Sequence, residues 1–251
     1  MNASLVLLPG ASKRLIAKGV AALPSVQRAL VEGRIVIALG TTNAFVAEEL
    51  LRTTIDRGAY AAGFIDDRWN INRRLGEARE VVLDRGRPAD LVPDEVRTGL
   101  KAGDLFIKGG NALDPWGVVG VLTAESTGGT VGRYAPIAFA RGVEIVIPIS
   151  LAKSVHASVV DLAGQMGIGR CDLHMGLPSG LYPLHGRVIT EADALEALFS
   201  LRATHVASTG VGAGAGSVSL WIEGDEAEVR AAHALVESLR SEPDVSLQGR
   251  A

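Results

Sequence analysis

Short apolar runs, many of them β-branched, alternate along most of the chain with segments of helical periodicity. Runs of this length carry no polar face, so they read as strands buried on both sides. The amphipathic segments between them read as crossover helices, which together predict an α/β domain with a mostly parallel sheet and helices on both faces. Strands are expected at 5–8, 34–39, 59–65, 80–83, 104–107, 118–122 and 143–149. The clearest helix is 43–56, where Phe45, Val46, Leu50 and Ile55 form an apolar stripe and Glu48, Glu49 and Arg52 face outward.

Beyond residue 186 the rhythm changes to strand 187–189, helix 191–201, strands 204–208 and 217–223, and helix 225–239. That order predicts a small α+β module of split βαβ type. Thr190 before Glu191 and Asp193, and Gly224 before Asp225 and Glu226, place acids at the positive ends of its two helices. The expected organisation is an α/β anion-binding domain over 1–185, the module over 186–241 and a fraying tail over 242–251. Residues 164–184, rich in Gly, Pro and Met, read as the connection. From 208 to 217 glycine recurs at every second position, which on a strand leaves one bare face suited to close packing or an interface, and a homo-oligomer is expected. The alternative for the same run is a hairpin loop.

Composition narrows the function. The chain has 251 residues with a net charge of -3, so no positive field gathers nucleic acid or an anionic membrane, and neither is an expected partner. One cysteine, Cys171, leaves no intramolecular disulfide. The apolar start is too short for a signal segment, and no run is long enough to cross a membrane, so a cytoplasmic protein is expected. Glycine supplies 30 residues, well above the ~7% of an average chain, while aromatics are only 4%.

Three glycine-bearing loops follow predicted strands of one sheet, where open α/β sheets hold ligands. The first is Gly40-Thr41-Thr42-Asn43, a strand-to-helix turn that aims free amides and hydroxyls at one point and favours an anion, though Thr41 or Thr42 can also serve simply as an N-cap. The second is Lys108-Gly109-Gly110-Asn111, a cation beside two exposed amides, with Asp114 shortly after. The third runs from Glu125 through Ser126, Thr127, Gly128 and Gly129 to Arg133. The expected partner is a small anionic metabolite, bound without a cofactor.

Gly40-Thr41-Thr42 and Ile107-Lys108-Gly109-Gly110-Asn111-Ala112-Leu113 resemble the two loops of the type A ribose-5-phosphate isomerase family, part of a larger group with glucosamine-6-phosphate deaminase and the coenzyme A transferases. The resemblance implies that group's α/β fold with a small α+β module, a sugar phosphate or a carboxylate or acyl compound as ligand, and proton transfer of isomerase type. The family's acidic Asp-Gly-Ala-Asp-Glu stretch is replaced here by Val96-Arg97-Thr98-Gly99-Leu100-Lys101-Ala102-Gly103, and its Arg-Glu-Lys stretch by Asp114-Pro115-Trp116-Gly117-Val118-Val119. This is therefore not a standard ribose-5-phosphate isomerase. Lys108, Asp114 and Glu125 are the candidate catalytic groups, with Asp66 and Asp67 at the same edge. Ala124-Glu125-Ser126-Thr127-Gly128-Gly129 also resembles the glutamate loop of coenzyme A transferases, which implies acyl transfer through Glu125 as an alternative. A non-catalytic binding or assembly protein of the same fold is the third reading.

Cys171, His174 and His185, with Asp172 and His156 nearby, have a spacing zinc or iron accepts, but no second pair completes a ligand set and no metal is expected. Walker and dinucleotide fingerprints are absent.

Overall fold

The computed structural model describes residues 1–66, 69–74 and 76–247. Along the chain come β1 (Asn2–Leu7), α1 (Pro9–Ala22), α2 (Pro24–Glu32), β2 (Arg34–Ile37), α3 (Thr41–Leu51), β3 (Ala62–Asp66), β4 (Trp69–Arg74), β5 (Val81–Asp84) and β6 (Arg87–Pro88). Then follow α4 (Pro93–Gly99), β7 (Leu105–Ile107), β8 (Ala112–Leu113), β9 (Val119–Thr123), α5 (Gly129–Arg141), β10 (Glu144–Pro148) and α6 (Val159–Gln165). The chain closes with β11 (Gly180–Leu184), β12 (Arg187–Ile189), α7 (Glu191–Leu198), β13 (Leu201–Thr209), β14 (Ser217–Gly224) and α8 (Glu226–Ser238). No helix among the described residues is long and apolar enough to cross a membrane.

The fold is α/β with mixed sheets. Its main sheet has the order β12-β10-β7-β2-β5-β6. The first four strands are parallel, but β5 runs antiparallel to β2 and β6 antiparallel to β5, so the parallel pairing expected throughout holds only from the β12 edge to β2. Residues 85 and 86 make the turn from β5 to β6: Arg85 has φ 48 and Gly86 φ 74, the geometry of a tight hairpin.

Side chains alternate across this sheet as the pleat requires. Ile35, Ile37, Leu105, Ile107, Val146 and Leu83 enter one core with α1, α3 and α7. Val36, Phe106, Ile145, Ile147 and Val82 enter the other with α4 and α5. Continuous apolar runs are thus strands covered on both faces by helices.

Four expectations are corrected. The strand at 118–122 forms as β9, but it lies in a separate antiparallel sheet of order β11-β9-β8. The boundary at residue 186 does not part the two halves: β12 joins the main sheet, while β1 pairs antiparallel with β14 along its whole length, giving a small sheet of order β1-β14-β13. Leu5 and Leu7 of β1 and Val218, Leu220 and Ile222 of β14 together cover α8, so the module's core needs the first strand of the chain. A split βαβ unit is not what forms.

The tail is held rather than frayed up to residue 245. Glu242 pairs with Arg14 and Arg57, Asp244 with Lys13, and Val245 packs on the core. The backbone is so close that a Cβ on Gly10 would meet the Glu242 carbonyl at 2.3 Å. Finally, the alternating glycines do not lie on a strand. β13 ends at Thr209, a short 3-10 turn spans Gly212–Gly214 and β14 starts at Ser217, which makes the run a hairpin loop with Val211 exposed. Gly210, Gly212 and Gly216 all have positive φ, which the turn requires.

Helix α3 begins two residues before the expected start and stops at Leu51, where Arg52 turns left-handed at φ 54. Glu48, expected to face outward, is buried and bonded by Arg57, Arg14 and the Ile55 amide.

Candidate functional site

The parallel strands β2, β7 and β10 all end at one edge of the main sheet. A cavity of about 510 Å³ opens there, lined by the loops after β2, β7 and β9 and by Lys153 from the turn after β10. All three glycine loops therefore meet, although β9 reaches the cavity from a second sheet.

Gly40 closes β2 with φ 153, a value comfortable only for glycine, and its carbonyl accepts from the Ala44 amide as the first bond of α3. It is the N-cap, and neither Thr41 nor Thr42 caps the helix with its side chain. The first-turn amides of Thr41, Thr42 and Asn43 have no acceptor within the helix and lie at the cavity. Tyr60 fixes this loop: its hydroxyl donates to Ile37 O at 2.6 Å, and its carbonyl accepts from Gly40 N at 3.0 Å.

Asn43 is almost fully buried. Its amide nitrogen donates to Ala38 O at 2.8 Å, but Oδ1 has no hydrogen-bond partner. This orphan acceptor is buried beneath the loop, close to Gly109, in a residue whose other atoms border the cavity.

A second helix points at the same space. Gly128, left-handed at φ 79, is the N-cap of α5, so the first-turn amides of Gly129, Thr130 and Val131 also face the cavity. Two helix N-termini thus add partial positive charge at one place. Ser126 and Thr127 are exposed, and neither lines the cavity. The Thr127 hydroxyl donates to Glu125 Oε1 at 2.9 Å and holds that carboxylate at the start of α5. Glu125 lines the cavity at its exposed rim.

Lys108 lies where expected, with Nζ donating to Gly109 O at 2.9 Å. Lys153, which the sequence reading missed, donates to Gly110 O at 2.7 Å. Burial pushes the Lys108 ammonium down to about 8, and the charge of Lys153 lowers it further. Burial also pushes Lys153 down to about 8, with Lys13 acting in the same direction and Glu191 against it. Arg79 and Arg133 complete four cationic side chains around the cavity, against the carboxylates of Glu80 and Glu125. Glu80 is already paired with Arg133 at 3.3 Å.

Two expected residues have structural work. Asn111 donates to Gly63 O at 2.7 Å and accepts from Leu122 N at 3.0 Å, so it braces the loop against β3 and β9. Asp114 is buried outside the cavity lining, and its oxygens accept from the amides of Trp116, Val118 and Val159 at 3.0, 2.9 and 3.1 Å. It shapes a turn and faces no ligand space, because three backbone donors satisfy a carboxylate better than a wet cleft does. Of the other pair, Asp67 lies outside the described residues, and of Asp66 only the backbone is described.

Among the described residues no three His, Cys, Asp or Glu side chains are grouped to hold a metal. Cys171 and His174 instead bond carbonyls of their own loop.

Comparison with family models, curated proteins and solved structures finds no match for this chain. The site's chemistry therefore rests on its own geometry. Lys153 could have been suspected from the sequence on one ground: it follows a buried strand at the same end as Lys108 in a chain with only five lysines.

Proposed function

We propose that the chain binds a small anionic metabolite, of sugar-phosphate type, at the edge of the main sheet. The observation that carries this reading is the meeting of two lysines, each tied only to a glycine carbonyl among the described residues, with two helix N-termini in one cavity. Such a site holds excess positive charge in a protein whose net charge is -3, and an anion is what balances it. A phosphate supplies several acceptor oxygens for lysines and amides together. The reading agrees with the loop resemblance to the isomerase and coenzyme A transferase group.

Isomerase-type proton transfer would fall to Glu125, since Asp114 is occupied and Glu80 is paired. The withdrawal of Asp114 also favours the second reading, a binding protein without acid-base chemistry. Acyl transfer through Glu125 gains nothing from its seat, because the Thr127 hydroxyl already donates to the Oε1 that would attack.

Thermal-shift and calorimetric titration with inorganic phosphate, sugar phosphates and acyl-coenzyme A compounds tests the site. Stabilisation by sugar phosphates, lost in Lys153→Met, is the expected result. No stabilisation by any of them would remove the anion site. If sugar phosphates bind, solvent deuterium entering the carbon beside the carbonyl in the full chain but not in Glu125→Gln separates the isomerase reading from the binding one.

A further inference from the structure

The chain has twenty arginines and five lysines, yet two of those lysines meet in the one cavity. Positive charge alone is served better by arginine, which forks onto phosphate and never loses its proton. Lysine differs in being able to become a neutral amine when buried, and a neutral amine is a nucleophile. The two amines are tied to carbonyls of consecutive residues, Gly109 and Gly110, and neither is within ion-pair distance of a carboxylate among the described residues. Lys13 and Lys18, outside the cavity, are both ion-paired.

The turn carrying Lys153 is built with unusual care for a solvent loop. Glu191, fully buried at the start of α7, accepts from the hydroxyls of Ser12 and Ser150 and from the Leu151 amide, locking the chain two residues before the lysine. The Lys108 side is held by β7 in the middle of the main sheet.

We propose that Lys108 is a nucleophile whose amine adds to the aldehyde or ketone carbon of a small anionic compound to form an imine, with Lys153 as the adjoining ammonium. This rests on the anion-site reading and narrows it to anionic carbonyl compounds, a 2-oxo acid or a phosphorylated aldose or ketose. An amine near 8 exposes about 300 times more free base at pH 7 than an ordinary lysine at 10.5. Lys108 stands at the end of β7 beside the first-turn amides of α3, whereas Lys153 reaches in from the turn after β10, so Lys108 is assigned the attack and Lys153 the proton.

The step balances without any further reactant. The Lys108 lone pair forms the C–N bond as the C=O pair moves to oxygen, which takes a proton from the Lys153 ammonium. The nitrogen then passes one proton to Lys153, whose ammonium protonates the hydroxyl; the nitrogen lone pair expels it as one water, leaving a protonated imine on Lys108 and a neutral Lys153.

The test traps the imine on the full chain with cyanoborohydride, using pyruvate and dihydroxyacetone phosphate as separate probes, and maps adducts by peptide mass spectrometry. With only five lysines every site is resolved. One adduct per chain is expected at Lys108, about tenfold or more above Lys13, Lys18 and Lys101. Lys108→Arg should lose it, whereas Lys101→Arg should not. The mapped site in the unaltered chain stands even if Lys108→Arg fails to fold. Lactate and glycerol 3-phosphate, which lack the carbonyl, are titrated in parallel by thermal shift. Binding of these without any adduct overturns the imine and leaves the anion site standing. Neither binding nor adduct overturns both, and an adduct spread evenly over all lysines overturns the imine site.

Discussion

Lys108 and Lys153 are ordinary residues made unusual by where the backbone places them. Burial lowers both, so the folded chain gives up these protons at lower pH than the unfolded chain does. The unfolded state then binds more protons between about 8 and 10.5, and stability contributed by the pair rises with pH across that window. Anion affinity runs the other way, because the ammoniums that hold the ligand are lost above about 8. Phosphate titrations from pH 7 to 9.5 should show weakening affinity while chemical denaturation shows a gain in stability. Both trends should shrink in Lys153→Met. Asp114 gives the opposite kind of prediction. Asp114→Ala leaves three amides without their acceptor and should cost about 2–4 kcal/mol in urea denaturation. Ligand affinity of the folded fraction should not change, and a loss of affinity beyond tenfold at constant fold would return Asp114 to the site.

At the level of elements, strands were more legible than their partners. Apolar runs announced β1, β2, β5, β7, β9 and β10; for β2, β7 and β10 the reason is that a strand covered on both faces needs apolar side chains at every position. Which sheet each joins depends on packing between distant parts of the chain, so the assignment of β1 to β14 and of β9 to its own sheet left no local mark. The glycine loops were legible for a related reason: the positive φ of Gly40 and Gly128 is a backbone requirement written in one residue. Asp114 misled because an acid near a glycine loop looks the same in sequence whether it faces a ligand or three amides. Helix packing supplies a sharp test. A Cβ on Gly19 of α1 would lie 2.5 Å from that of Ala194 in α7, backbone against backbone. Gly19→Ala should therefore destabilise by about 1–3 kcal/mol despite the higher helix propensity of alanine. Since α7 carries Glu191 and hence the Lys153 turn, the same variant should weaken phosphate binding, read by calorimetry.

Across the whole molecule the two ends of the chain are joined. β1 completes the sheet of the C-terminal half, and the segment after α8 returns to α1 and α3, where Arg14, Arg57, Glu48 and Glu242 form one network over the Phe45 ring. Burial raises the carboxyls of Glu48 and Glu242, but hydrogen bonds from the two arginines outweigh it and hold both below their ordinary value of 4.5. Their contribution to stability is thus present above the unfolded value and lost as pH falls through the folded ones. Ending the chain at residue 241 removes Glu242 and leaves Arg57 with Glu48 and Arg14 with Glu48 and Glu49. With the pairs largely screened from water, the truncated chain should be about 2–4 kcal/mol less stable at pH 7 by denaturant titration. The gap between full and truncated chains should narrow towards pH 3, since protonation of Glu242 in the full chain removes the same interaction. A gap that stays constant with pH would assign the tail's effect to the backbone packing at Gly10 rather than to the charges, because that contact does not titrate.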